Sequence, residues 1–189
     1  MMYVFFRVIL RILFAVLFRL RAEGLHHIPA SGPVIMCCNH ISNIDPPLLG
    51  SPFERKIYYM AKEELFKIPI LGWIIPRIGA FPVKRGGVSK ESIRNALNLL
   101  SEGKMIGIFP EGTRNSKGPA KKGAAVLALR SEAVIVPAAI IGDYSLFKPM
   151  IIRYGEPIQM DGFRSQSEVD SSEQVTAEIM KAINRLKEE

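Results

Sequence analysis

"VIMCCNHISNIDPP", residues 34–47, opens on five apolar residues, breaks into a polar run at Asn39, and restarts with Asp45 in front of two prolines. A short apolar run without alternation reads as a strand buried on both faces. Asn39 and His40 then emerge at its carboxyl end. Ser42 and Asn43 supply turn chemistry, and Asp45 before Pro46 predicts a helix with Asp45 as N-cap and Pro46 at the first helical position. Strand, turn and helix in that order form the unit of an α/β sheet, and ligand sites in open α/β sheets gather outside the carboxyl ends of strands. On one continuous helix His40 and Asp45 would lie about 140° apart, so they meet only if the chain turns between them. Capping alone accounts for Asp45. A carboxylate that holds one imidazole nitrogen and leaves the other as a general base accounts for both residues.

Five more short apolar or β-branched runs recur along the chain: "IYYM" (57–60), "AFPV" (80–83), "MIGIF" (105–109), "VIVPAAII" (134–141) and "IIRYG" (151–155). Helical patterns lie between most of them. "SKESIRNALNLLSEG" predicts a helix capped by Ser89, with Ile93, Leu97 and Leu100 on one side and Gly103 as its C-cap. A last helix is expected after Ser171, in a capping box with Gln174, with Val175, Ile179, Ile183 and Leu186 on one stripe. The expected fold is α/β, a single domain with a mixed, largely parallel sheet flanked by helices. "LFKIPILGWIIP" (65–76), broken by Pro69 and Gly72, fits an acyl groove, a membrane contact or a core helix equally well.

"MMYVFFRVILRILFAVLFRL" precedes this domain. At about 100° per residue Arg7, Arg11, Arg19 and Arg21 fall within one arc of about 160°, and the remaining arc is apolar. Spanning a bilayer would put Arg11 near its middle at a cost of about 2.5–3.5 kcal/mol, whereas a helix lying in the interface leaves guanidinium groups among lipid phosphates. The reading is an amphipathic interfacial helix over 1–22, followed by the domain over 23–189. Arginines within the apolar stretch also argue against a secretory signal.

Residues 1–155 carry 21 Lys and Arg against 10 Asp and Glu, and residues 156–189 carry 4 against 8. The basic body attracts anions of any kind. The basic residues lack the interleaved aromatics of a nucleic-acid stacking surface, so no nucleic-acid partner is expected. Cys37 and Cys38 are adjacent in an apolar run, which suits buried thiols in a reducing compartment. Three histidines without ligand spacing give no metal site.

Two loops complete the candidate site. "FPVKRGG" (81–87) and "FPEGTRN" (109–115) each follow a predicted strand and place arginine in a glycine-containing loop. If they open on one edge, Lys84, Arg85 and Arg114 converge on a phosphate, with backbone N–H groups near Gly86 or Gly112 adding donors. Glu111, beside Thr113, either fixes Arg114 or accepts a hydrogen bond from an acceptor hydroxyl. Lys121 and Lys122 rank below the arginines. The glycines are wrongly spaced for a nucleotide phosphate loop. No serine or cysteine nucleophile sits in a recognised setting, so a His–Asp pair here calls for a nucleophile brought by the substrate, as in acyl transfer to an alcohol. An ordinary imidazole, with a pKa of about 6.5, is largely neutral at cytosolic pH and can take that proton, a contribution of about 10²–10⁴ in rate.

Taken together, "NHISNID", "GAFPVKR", "FPEGTRN" and "VIVPAAIIG" resemble, in order and spacing, the four blocks of the glycerolipid acyltransferase family, in its branch acting on 1-acylglycerol 3-phosphate. The resemblance spans residues 24 to about 160. It implies transfer of a fatty acyl group from an acyl-CoA or acyl-carrier-protein thioester to lysophosphatidate, giving phosphatidate, with no cofactor and no metal. His40 is implied as general base and Asp45 as its orienting partner. Arg85 and Arg114 are implied to hold the phosphate, Glu111 and Gly112 to shape the glycerol site, and Pro137 to belong to the acyl-facing block. Position 84, often acidic in relatives, is lysine here. Another lysolipid or lipid alcohol as acceptor, or acidic-lipid binding without catalysis, are the rival readings. The expected location is peripheral or monotopic on the cytoplasmic face of the cell membrane.

Overall fold

The apolar runs that read as strands are strands in the computed structural model, which describes residues 2–83, 90–114, 118–164 and 168–188. Lys84, Arg85 and Ser89 lie outside the described residues. In chain order the elements are α1 (Met2–Leu17), β1 (Arg21–Glu23), β2 (Val34–Cys38), α2 (Asp45–Gly50), β3 (Ile57–Lys62), α3 (Leu71–Ile78), β4 (Ala80–Val83), α4 (Lys90–Ser101), β5 (Met105–Ile108), α5 (Gly123–Leu129), β6 (Val134–Ile141), β7 (Ile151–Tyr154), α6 (Asp161–Arg164) and α7 (Glu168–Glu188). One seven-stranded sheet runs in the order β1-β7-β6-β2-β5-β3-β4. Only β6 and β7 pair antiparallel. Strands β2 to β6 are therefore all parallel, and their carboxyl ends share one edge.

Central β2 shows why its sequence does not alternate. Val34, Met36 and Cys38 pack on one face with Phe14, Leu48, Leu49 and Phe53, while Ile35 and Cys37 pack on the other with Leu100, Leu127, Val175 and Ile179. Helices cover both faces, so both sets of side chains must be apolar. Helices α1 and α2 lie on the first side, and α4, α5 and α7 on the second.

Three elements depart from expectation. Helix α7 begins at Glu168, so Ser171 lies within it rather than capping it, and the Ser171 hydroxyl donates to the Phe163 carbonyl at 2.7 Å. Val175, Ile179 and Ile183 are buried on the expected stripe. Helix α1 ends at Leu17, and β1 already belongs to the sheet, so a boundary at residue 22 falls inside a strand. Strand β1 carries no β-branched run. It is an edge strand, held by its pairing with β7 and by an Arg153–Glu23 ion pair at 2.6 Å. Residues 65–76 form a 3-10 turn (Glu63–Lys67) and α3, with only Ile75 of that stretch buried, and are no core helix.

Helix α1 docks through Tyr3, Arg7, Leu10, Phe14 and Leu17, and Arg7 is turned inward to donate to the Phe53 carbonyl at 2.8 Å. Its other side leaves Val4, Phe5, Val8, Ile9, Ile12, Leu13 and Val16 exposed. Among the described residues no helix is long and apolar enough to cross a membrane.

Gly107 in β5 faces the ring of Tyr59 so closely that an added Cβ would lie 2.1 Å from its Cε1. The ring lies parallel to that of Phe109, with centroids 6.2 Å apart. Gly107→Ala should cost about 1–3 kcal/mol, the range for overpacking a filled core. A urea unfolding curve with a lowered midpoint and unchanged slope is the expected result.

Candidate active site

The end of β2 is fixed before any reacting group appears. Asn39, almost fully buried, donates through Nδ2 to the Ile140 carbonyl at 3.0 Å and accepts the Ile140 N–H at 2.8 Å. Its amide thereby extends the β2–β6 ladder by one side chain and sets the direction in which residue 40 leaves the sheet. His40 follows. Its backbone N–H donates to Glu111 Oε2 at 3.3 Å, and its ring stacks on Phe109 with centroids 4.3 Å apart.

The turn required for His40 to meet Asp45 is present, with the Asp45 N–H on the Ser42 carbonyl at 3.2 Å. His40 Nδ1 and Asp45 Oδ2 lie 2.7 Å apart. A carboxylate only accepts, so Nδ1 carries the proton and Nε2 is the nitrogen left to accept another. The histidine side chain keeps 18% of its surface and the aspartate none. Asp45 Oδ2 also accepts the N–H groups of Ile41 at 2.6 Å and Ser42 at 2.8 Å, and Oδ1 accepts the Tyr144 hydroxyl at 2.5 Å.

This corrects the capping expectation. Asp45 is the first residue of α2, and its carboxylate bonds backward to the loop rather than forward to the helix. The physical reason is in the next three residues: Pro46 and Pro47 have no N–H to cap, and the Leu48 N–H already donates to the Ile44 carbonyl at 3.0 Å. Relieved of that task, the carboxylate serves the loop and the imidazole.

The second loop leaves β5 beside β2. The Gly112 N–H donates to the Phe109 carbonyl at 2.9 Å, and Gly112 sits at φ 71°, left-handed backbone that favours glycine. This tight turn returns Glu111 toward His40, where its recorded partner is the histidine N–H rather than Arg114. Thr113 and Arg114 are exposed. Strand β4 ends with Val83 at the same sheet edge, immediately before Lys84 and Arg85. Lys121 packs its stem beside Gly112, and Lys122 pairs with Glu173.

No protein thiol is placed to react here. Cys37 and Cys38 are wholly buried, and burial raises both thiol pKa values, Cys38 further through Asp45 nearby. Ser101 donates to the Asn98 carbonyl at the end of α4. Among the described residues no group of three or more His, Cys, Asp or Glu can hold a metal ion.

Residues 19–141 match the acyltransferase family model. The chain belongs to the acyltransferase family. It is 35% identical to the 1-acyl-sn-glycerol-3-phosphate acyltransferase of Bacillus subtilis over 195 aligned positions, covering 99% of this chain and 96% of that one. The corresponding enzyme of Borreliella burgdorferi is 32% identical over 134 positions, 68% of this chain and 54% of its own. A crystal structure of the 1-acyl-sn-glycerophosphate (LPA) acyltransferase PlsC from Thermotoga maritima superposes with a TM-score of 0.67 at 27% identity, over 95% of this chain and 77% of that one. In this acyltransferase, then, the histidine and aspartate lie in hydrogen-bond contact at the carboxyl edge of a parallel sheet.

The roles of Asn39, Phe109 and Tyr144 were not foreseen. Asn39 precedes His40 directly, and a polar residue closing a run buried on both faces is a usable signal. Tyr144 lies 99 residues from Asp45 in the chain, and no local pattern joins them. Asp45→Ala should cost about 2–4 kcal/mol in chemical denaturation, because it removes the acceptor of two loop N–H groups and leaves partly buried donors unpaired.

Proposed function

We propose that the protein transfers a fatty acyl group from an acyl thioester, of coenzyme A or acyl carrier protein, to the free hydroxyl of 1-acylglycerol 3-phosphate, giving phosphatidate and a free thiol. The observation that carries this reading is the His40–Asp45 contact, with Nδ1 bound and Nε2 left to accept a proton at the sheet edge. Nε2 takes the proton of the acceptor hydroxyl as its oxygen attacks the thioester carbonyl. The tetrahedral intermediate expels the thiolate, and the imidazolium returns the proton to sulfur. Asp45 holds the ring orientation and balances the imidazolium while it lasts. With both cysteines buried, the nucleophile is the substrate's own hydroxyl.

Selection of a phosphorylated acceptor rests on the loops after β4 and β5. Arg114 is exposed and follows the His40-bound Glu111 closely in the chain, and Lys84 and Arg85 come directly after Val83 in the sequence, where β4 ends at the same sheet edge. In this reading Arg85 and Arg114 grip the phosphate, with Lys84 adding charge, while Glu111, Gly112 and Thr113 border the glycerol.

The lipid acceptor is met at a membrane surface. The exposed apolar face of α1 is continued by Trp73 on α3, which packs beside it, by Ile68 and Ile70 in the segment leading into α3, and by Leu146 and Phe147, whose loop is bonded to the end of α1. An apolar area of this extent marks an interaction surface. Exposed Arg11, Arg19 and Arg21, together with Arg77 stacked on Trp73 at 4.1 Å, supply cations suited to anionic headgroups. Helix α7, with Asp170, Glu173 and Glu178, covers the opposite face of the sheet, so acid lies away from the lipid. The free thiols suit the cytoplasmic face of the membrane.

Offered a panel of acceptors with each thioester donor, the purified protein should yield phosphatidate from lysophosphatidate by mass spectrometry. Preference for an alcohol without phosphate would remove the arginine assignments. His40→Ala should lower kcat by about 10²–10⁴ while vesicle binding persists. Phe5→Glu combined with Ile12→Glu should weaken cosedimentation with anionic vesicles by about a hundredfold or more, since each apolar side chain contributes about 1.5–3 kcal/mol when withdrawn from water. An unchanged melting temperature in that double variant assigns the loss to the surface rather than to the fold.

A further inference from the structure

Asp45 divides its contacts unevenly. Oδ2 meets three donors, His40 Nδ1 and the N–H groups of Ile41 and Ser42, whereas the recorded donor to Oδ1 is the Tyr144 hydroxyl. The residue has no exposed surface, so water does not replace a lost donor readily. Three donors converging on one oxygen fix that oxygen but leave the carboxylate plane free to pivot about it. A fourth donor on the other oxygen removes that freedom.

We infer that Tyr144 is a positioning residue for proton transfer: its phenolic O–H locks the carboxylate of Asp45 so that the aspartate presents a fixed oxygen to His40. The inference rests on the reading of His40 as general base and extends it to a residue outside the four sequence blocks.

Three features hold the phenol in place. Its ring meets the edge of Phe18 at a centroid distance of 5.4 Å and an interplanar angle of 88°. Its loop is fastened to the foot of α1 by Phe147 N–H to the Leu17 carbonyl at 2.6 Å and Met150 N–H to the Phe18 carbonyl at 2.9 Å. Its origin, β6, also carries Ile140, which brackets Asn39 next to His40. One strand thus references both halves of the dyad, His40 through Asn39 and Asp45 through Tyr144. Burial and the neighbouring carboxylate raise the phenol's pKa, so it remains protonated and donates throughout the working range.

Other titratable groups around the pair are Glu111 on the His40 amide, the buried Cys38 thiol, and Tyr59 across the Phe109 ring. The Cys38 and Tyr59 pKa values are raised by burial, which keeps both neutral. The phenol partly neutralises the Asp45 charge seen by the imidazole.

The test is Tyr144→Phe, which keeps the ring against Phe18 and deletes only the O–H. Expected are a kcat lowered about 5- to 30-fold and a lysophosphatidate KM within about twofold of the parent. A purely packing role for the ring leaves both at parent values, and that result overturns the inference. Phe18→Leu gives a second readout should Tyr144→Phe fold poorly. Loosening the seat of the phenol should lower kcat in the same direction by a smaller factor without moving KM, and a parent-like kcat would count against the inference. His40→Ala, run in parallel, separates the two levels. If it retains turnover, the base assignment itself fails; if it is inactive while Tyr144→Phe matches the parent, only the role of Tyr144 falls.

Discussion

A carboxylate with no surface of its own, Asp45, organises the mouth of the sheet. Its oxygens collect an imidazole, two backbone amides and a phenol, four donors from two segments of chain, 40–42 and the loop after β6. An anion withdrawn from water is tolerated only when donors surround it, so those segments are held to the positions that supply them. The sharp turn from 40 to 45, the approach of the loop after β6, and the orientation of His40 are one arrangement seen from three sides. The prolines at 46 and 47 contribute by asking nothing of the carboxylate as a cap.

The scaffold beneath explains why that arrangement persists. Strand β2 is paired on both sides, by β5 and β6, and apolar helices cover both of its faces. Each neighbour sends one loop to the site: β5 contributes Phe109 and Glu111, β6 contributes Tyr144. Because these strands are parallel, loops that are distant in sequence leave the sheet side by side. Asn39 and Gly107 are the adjustments at the seam, one extending a ladder and one making room for Tyr59 beneath the Phe109–His40 stack.

A second constraint comes from the outer face. Helix α1 satisfies the core with Phe14, and Phe18 does so just beyond its end, but the helix leaves half its circumference apolar and uncovered, and α3 and Phe147 continue that surface. Phe147 and Ile70 both adopt positive φ without being glycine, so the chain accepts local strain where it presents these side chains outward. Phe18 touches Tyr144, which places the root of the exposed helix one ring away from the carboxylate. The exposed apolar surface and the His40–Asp45 pair therefore share a structural element.

Much of this was readable before any coordinates. The six apolar runs became strands because short apolar and β-branched runs between turn signals leave few other choices, and the turn chemistry between His40 and Asp45 allowed the contact those two make. Short-range grammar misjudged the rest wherever two rules competed. Asp45 satisfied the pattern of an N-cap, yet prolines without N–H groups turned it to the loop. Ser171 satisfied a capping box, yet α7 starts earlier and its hydroxyl reaches Phe163. The sequence by itself determined the alternation of strands and helices, the family, and the imidazole with its carboxylate. Only the tertiary structure decided that Asn39 grips Ile140 and that Tyr144 reaches Asp45. Those partners lie about a hundred residues apart and meet through the pairing of β6 with β2, a neighbour relation that the local spacing of side chains does not encode.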